Sequence, residues 1–562
     1  MTTFLEHFVV FFQIFLMCLF LALSGFLFKK FIINVQENNT FEENGLFGFL
    51  LIGFLALFVN FFFPLNLIVN NFLFVVIVYL GYKFKFFNQN KKKLFKDTLY
   101  VTLIAYIFFI YSNVNTPDAL LYHLPYSKII NEHKIILGIS NLHFRFGHIS
   151  IFQYISSFFV NNIFNTNGLL IPISLLTSFF FIYAYKKFNK TFDNFKTRLN
   201  SYLIFLFLIF SFYSFNRYSG WGNDAQVHIY YFLSIIYLLD YFSDKNSLVI
   251  FKKVSLISLF TFLIKPFYII SLIMPLIIYA LLRKKNIILR SRFFIFSFLF
   301  ISLWFLKNIL VSGCLIYPIT ITCNSNIAWF NNEAKLQSLS GEAWSKDWIN
   351  RNDKNLNHEQ YNKDFIWVST WSKNHFLVIK EKLIPVFSFL FLNILFFYFA
   401  KCLKSKHKIN NSNNKFYLLL LLINLLGLLV WFIKFPIYRY GSSYIYSSIV
   451  FLFYFIFIRF VNFKRLIKIK YVFVFFIYIF FSGIMIKNLD RIVKNYNNPI
   501  SPIIFDNIKD SDVVKVTDHD GKFIHFTPSN RAACGYTLSP CSHYMPNIKI
   551  KKFLGYIIYL NL

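Results

Sequence analysis

Charge is scarce in this chain. Only 14% of its 562 residues are Asp, Glu, Lys or Arg, against about a quarter in soluble domains. Acids are scarcer still, 24 against 57 Lys and Arg, which leaves a formal balance of +33. Hydrophobic residues reach 57% and the mean hydropathy is +0.55. This composition excludes a soluble enzyme and a disordered tail. Six cysteines in so long a chain exclude a disulfide-framework miniprotein. There is no Walker loop and no dinucleotide fingerprint, so ATP-driven transport is not encoded here. No repeat of 20–50 residues is visible. In a soluble protein so basic a balance would point to nucleic acid. Here Lys and Arg sit in short clusters between long apolar runs, which is a membrane-topology signal instead. No nucleic-acid partner is expected.

A helix needs roughly 20 apolar residues to cross a bilayer, and the runs predict about fourteen spans. They are 8–28, 46–63, 66–82, 98–113, 167–185, 200–216, 227–243, 254–264, 267–283, 294–312, 383–400, 416–433, 443–459 and 470–486. Met1–His7 carries no Lys or Arg, so the first run reads as a retained helix rather than a signal peptide. Alternate loops are dense in Lys and Arg, from Lys29–Lys30 through Lys91–Lys93 to Arg459–Lys470. Those loops are assigned to the cytoplasm, which puts both termini outside it. The same parity makes 149–164 an interfacial helix on the outer face, with Gln153, Ser156, Ser157, Asn161 and Asn162 as its polar positions.

The fold expected is therefore an all-α polytopic integral membrane protein with extracytoplasmic loops and a small C-terminal β-containing outer segment. Residues 1–97 form an N-terminal three-helix membrane segment. Residues 98–487 form the membrane core, with outer loops 114–166 and 313–382. Residues 488–562 form an extracytoplasmic cap, whose Asp520-Gly521 is a hairpin turn signal. Cys314 with Cys323 and Cys534 with Cys541 are close pairs on the oxidising side, which predicts two local disulfides. Cys534, Cys541 and the nearby His519, His525 and His543 match no standard zinc spacing.

Chemistry is expected at the outer ends of the spans. Asp118 follows the fourth span. It shares a helix face with Tyr122 at i, i+4, and His123 lies beside Tyr122. His143, Arg145 and His148 follow in the same loop. A carboxylate at that depth can deprotonate an acceptor hydroxyl. An ordinary N-cap explains the same residue, since Pro117-Asp118 opens a helix. Asp224, in a Gly-Asn-Asp turn, either caps the seventh span or joins Asp118. Lys265, Lys307, Lys434 and Arg439 sit at outer helix ends, where cations usually snorkel to headgroups. They can equally neutralise a phosphate, and only Arg439 among them offers a bidentate fork.

These features together resemble the GT-C superfamily of polytopic membrane glycosyltransferases. The carriers are an Asp followed by Tyr-His in the first large outer loop, and the half-span, Lys, half-span segment at 256–275. To these add LWFLKNILVSGCLIYP at 303–318, FPIYRYGSSY at 435–444 and the Cys-containing tail from Arg531, which is similar to the ending of a poorly characterised bacterial branch. The resemblance implies a sugar donor carried on polyprenyl phosphate or diphosphate. It implies inverting transfer on the outer face of the bacterial inner (plasma) membrane to an envelope glycan, lipid or protein, as in polysaccharide biosynthesis. By position, Asp118 becomes the catalytic carboxylate. Tyr122, His123, His143, Arg145, Asp224, Lys265, Lys307 and Arg439 become substrate-binding residues. Some members use a divalent metal ion, although no metal site is visible in these residues. The alternatives are a lipid-linked sugar flippase or transporter and a polysaccharide polymerase. Transporters place ionisable groups mid-membrane, whereas these cluster at one surface.

Overall fold

The computed structural model describes residues 2–35, 40–88, 90–110, 118–214, 222–243, 247–282, 288, 291–403, 411–462, 465–495, 508–517, 523–529 and 533–561. Most of it is helical. The α-helices are α1 (Thr2–Phe28), α2 (Phe41–Asn60), α3 (Leu67–Lys83), α4 (Lys91–Phe109), α5 (Leu124–Glu132), α6 (Ile151–Phe158) and α7 (Ile171–Phe192). Next come α8 (Arg198–Ser214), α9 (Asp224–Ser243), α10 (Leu248–Ile264), α11 (Ile273–Leu281) and α12 (Arg292–Ser312). The short α13 (Ala334–Ser345), α14 (His358–Asn362) and α15 (Trp367–Trp371) precede α16 (Leu377–Phe399), α17 (Asn411–Lys434), α18 (Tyr438–Ile456) and α19 (Lys470–Lys494).

The helices start where side chains can take up orphan amides. Thr40, Asn66, Asn90, Ser247 and Ser291 each accept a backbone N–H from the first turn of α2, α3, α4, α10 and α12. At the end of α12, Gly313 takes a left-handed conformation (φ +79°) that closes the helix. Pro266 ends α10, and Lys265 before it is extended (φ −148°). A 3-10 turn (Pro266–Leu272) then leads into α11. Closest packing is between α1 and α2. A Cβ on Gly25 would lie 1.7 Å from the Asn44 carbonyl oxygen, and one on Gly48 would lie 2.1 Å from that of Leu21. Small residues let two backbones touch where lipid offers no hydrophobic drive.

Among the described residues seven helical segments are long and apolar enough to cross a membrane: Phe4–Ile33, Phe41–Asn60, Arg292–Ser312, Trp367–Phe399, Asn414–Lys434, Tyr438–Phe460 and Lys470–Lys494. Leu67–Lys83, Arg198–Ser214 and Pro266–Leu281 are apolar but shorter. Length separates them from the seven, since they fall about three or four residues short of the roughly 20 that a crossing needs.

The interfacial assignment of 149–164 needs correction. Its helix is only α6, and all eight residues of α6 are buried. Three of the five polar positions, Gln153, Ser157 and Asn161, bond inside the protein. Gln153 closes a capping box with Ser150 and bonds His123. Ser157 donates to the Ser127 carbonyl, and Asn161 accepts from the amides of Ile163 and Phe164.

α19 runs past residue 488 to Lys494 before the β part begins. Strands β1 (Val513–Thr517) and β2 (Phe523–Pro528) form one antiparallel pair, from Val513↔Pro528 to Thr517↔Phe523. Asp520-Gly521 lies between them, outside the described residues. Strands β3 (Ile548–Phe553) and β4 (Tyr556–Asn561) form the second pair, closed by Leu554-Gly555 with both φ positive. That is the twist a two-residue hairpin loop requires. Cys314 is bonded to Cys323, and Cys534 to Cys541.

Candidate active site

Four separate stretches of chain bring charged residues to one place. Asp118 opens a helical turn, Ala119–His123, that feeds α5. Asp224 is the first residue of α9. Lys265 occupies the break between α10 and the 3-10 turn, and Arg439 is the second residue of α18. The apolar helices end here, so each charged residue can stand at a helix mouth without being buried in the helix body.

Lys265 Nζ is 2.6 Å from Asp224 Oδ1. Arg439 bridges both acids, with Nη2 3.5 Å from Asp118 Oδ2 and Nε 3.7 Å from Asp224 Oδ2. Arg145, from the turn Phe144–Gly147, approaches Asp118 Oδ1 at 3.7 Å and donates to the Tyr122 hydroxyl at 3.4 Å. Asp118 and Tyr122 therefore do share a face. Asp118 makes no side-chain cap hydrogen bond, so helix capping does not account for it. The arginine contacts to the two carboxylates, at 3.5–3.7 Å, are longer than typical hydrogen bonds, which leaves guanidinium N–H groups to donate to a ligand. Among the described residues three cations face two carboxylates, and one positive charge is left over.

Tyr440 completes the wall. Its ring lies 3.5 Å from Lys265 Nζ, and its hydroxyl accepts from Arg439 at 3.4 Å. A second tier holds these groups in place. The His228 ring nitrogen Nε2 lies 2.8 Å from the Arg439 carbonyl oxygen and 2.9 Å from Ser442 Oγ. Tyr268 donates to the Tyr440 carbonyl at 2.9 Å and contacts both His228 and Ser443. Asp224 and His228 are at i, i+4 on α9, so one helix face serves both tiers. Tyr440, His228, Tyr268 and Ser443 were missed by sequence reasoning. Their one signal was adjacency to Asp224, Lys265 and Arg439.

The remaining sequence-predicted residues lie around this cluster. His123 is buried behind Tyr122, and its Nδ1 is 2.9 Å from Gln153 Nε2. Burial pulls its pKa down to about 4, so it is neutral at pH 7. The His143 ring lies 6.4 Å from that of Tyr122, 4.9 Å from His543 and 4.8 Å from Tyr544. Burial, then His543 and Arg145, push it well below the ordinary histidine value. His148 stacks edge-on against Tyr317 at 5.2 Å. Lys307 stays out of the acidic cluster. It is fully buried and donates to the carbonyl of Ile149 at 3.3 Å and to Asn308 Oδ1 at 2.5 Å.

A divalent ion would need several oxygen ligands. Among the described residues no group of three or more His, Cys, Asp or Glu could hold a metal ion. Asp118 and Asp224 are each held against cations. The described residues offer such an ion no set of ligands.

Residues 8–446 match the family described as Domain of unknown function (DUF8201), and the chain belongs to that family. No curated protein and no solved structure matches it.

Proposed function

We propose that this protein is an integral membrane glycosyltransferase of GT-C type. It moves a sugar from a polyprenyl-phosphate or polyprenyl-diphosphate donor to an envelope glycan, lipid or protein acceptor on the outer face of the bacterial inner membrane. On this reading the three shorter apolar helices also span, and so do α4, α7, α9 and α10, giving about fourteen crossings. The observation that carries it is the pair of carboxylates set among three cations at the mouths of apolar helices. One excess positive charge suits a phosphodiester whose lipid tail lies among the helices.

In the reaction, Asp118 takes the proton of the acceptor hydroxyl as that oxygen bonds to the anomeric carbon of the donor. The bond from that carbon to the phosphate oxygen breaks on the opposite face, so configuration inverts. Arg439, Arg145 and Lys265 hold the charge that develops on the departing polyprenyl phosphate.

The placement of ionisable groups favours an enzyme over a flippase. On α9, Asp224 stands at one end and Asp240, paired with Lys187 at 2.6 Å, near the other. Sixteen residues separate them, about 24 Å along the helix. At that far end Glu43 takes Lys29, Lys253 and the Tyr237 hydroxyl. Transport sites collect such groups at the midplane instead.

The test is purified protein in lipid with a panel of polyprenyl-linked sugars. Mass spectrometry follows sugar loss and release of polyprenyl phosphate in wild type and Asp118→Asn. Turnover that depends on Asp118 is expected. Binding without turnover, together with translocation in liposomes, would make it a flippase.

A further inference from the structure

The C-terminal hairpins lie outside the family-matched residues 8–446, yet they grip the stretch that carries the site. The disulfide Cys534–Cys541 closes a short loop, and two residues inside that loop reach across. The Gly535 amide donates to the Leu120 carbonyl at 2.9 Å. Leu120 is midway between Asp118 and Tyr122. The Tyr536 hydroxyl donates to Asn131 Oδ1 at 2.9 Å, and its ring lies 4.9 Å from the Lys128 ammonium. Just beyond the loop, Ser542 donates to the Leu142 carbonyl at 3.2 Å, and His543 and Tyr544 pack on His143, two positions before Arg145. Between these ends, Leu137 exchanges backbone hydrogen bonds of 2.9 Å with Ile557 and Tyr559 of β4. Asp118–Tyr122 and Arg145 are thus held at both ends by residues 534–544.

We infer that the loop closed by Cys534–Cys541 is a positioning clamp for the acidic site, and that opening this disulfide releases the Asp118–Tyr122 turn and Arg145 from their mutual register. A closed loop has few conformers, so the Gly535 amide and Tyr536 hydroxyl stay at their acceptors. Opening it restores chain entropy and dilutes those contacts. Reduction by two external thiols breaks the S–S bond, leaves two cysteine thiols and joins the reductant sulfurs in a disulfide. The inference rests on Asp118 and Arg145 being site residues, the reading proposed above, and not on which reaction they serve.

The test is hydrogen–deuterium exchange on full-length protein in nanodiscs. It compares oxidised wild type, thiol-reduced wild type, Cys534→Ser/Cys541→Ser, Tyr536→Phe and a Cys314→Ser/Cys323→Ser control. Amides 119–132 are expected to exchange about tenfold faster once the 534–541 bridge is lost. Reoxidation restores the slow rate, Tyr536→Phe speeds exchange near Asn131, and the control leaves 119–132 unchanged. Unchanged exchange of 119–132 in the reduced wild type overturns the clamp, and this arm starts from folded protein even if the serine variant does not accumulate. In the sugar-transfer assay the serine variant should lose about tenfold in kcat, with donor KM within about twofold. Faster exchange without turnover in any protein, wild type included, supports the clamp and sinks the transferase. Turnover with unchanged exchange does the reverse.

Discussion

Replacing Asp118 by Asn separates binding from chemistry. The side chain keeps its shape and loses one negative charge and its basicity. A positioned general base contributes about 10²–10⁴ in rate, so kcat should fall by at least about 10². The effect on binding has the opposite sign. The cluster holds three cations and two carboxylates, and removing one carboxylate leaves two excess positive charges facing the phosphate. Donor KM should therefore stay level or fall. Stability changes little. The two arginine contacts, at 3.5 and 3.7 Å, join partly exposed side chains, and such pairs contribute about 0–1 kcal/mol each. The assay is steady-state release of polyprenyl phosphate over a donor range, with a melting curve on the same preparations. Wild-type kcat would refute Asp118 as the base. A donor KM raised tenfold at normal kcat would make it a binding residue instead.

Three further outcomes follow from the same geometry. Arg439→Lys keeps the charge but not the fork that spans Asp118 and Asp224, so donor KM should rise about tenfold; equal KM in both proteins would show that the bridge is not used. His123 titrates near 4 when folded and near 6.5 when unfolded. The unfolded chain therefore binds the extra proton between those values, and stability is lost as pH falls from 6.5 towards 4, by on the order of 3 kcal/mol from this group. Melting temperatures from pH 7.5 to 4 should show the loss, smaller in His123→Gln, and parallel curves would contradict the assignment. Gly25→Ala drives a methyl into the Asn44 carbonyl and should cost about 3 kcal/mol or the fold itself, read as a lower melting temperature; an unchanged one would mean that α1 and α2 are not so close.

The sequence was most legible where one residue imposes a local consequence. Lys265 before Pro266 had to break a helix, because proline removes a donor and restricts its predecessor. The first antiparallel β pair, around Asp520-Gly521, and the close cysteine pairs were likewise local; the second pair at 548–561 carried no such signal. Residues 149–164 misled for an equally physical reason. An amphipathic pattern says that two faces differ, and a buried helix whose polar groups bond neighbouring backbones has the same pattern as one lying on headgroups. Span counting suffered from the same ambiguity, since a short apolar run reads alike whether lipid or protein surrounds it. Lys307 looked equivalent to Lys265, yet only Lys265 meets a carboxylate.

By itself the sequence determined a mostly helical chain with long apolar runs and its charge set at helix ends, a pattern compatible with a multi-pass membrane protein because hydrocarbon tolerates neither unpaired backbone nor unpaired charge. It also nominated Asp118, Asp224, Lys265 and Arg439 one by one. Only the tertiary structure decided that they meet, that Arg439 joins the two acids, and that residues near 540 hold the turn near 120. Such contacts link positions hundreds of residues apart, and no local propensity or periodicity carries information across that separation.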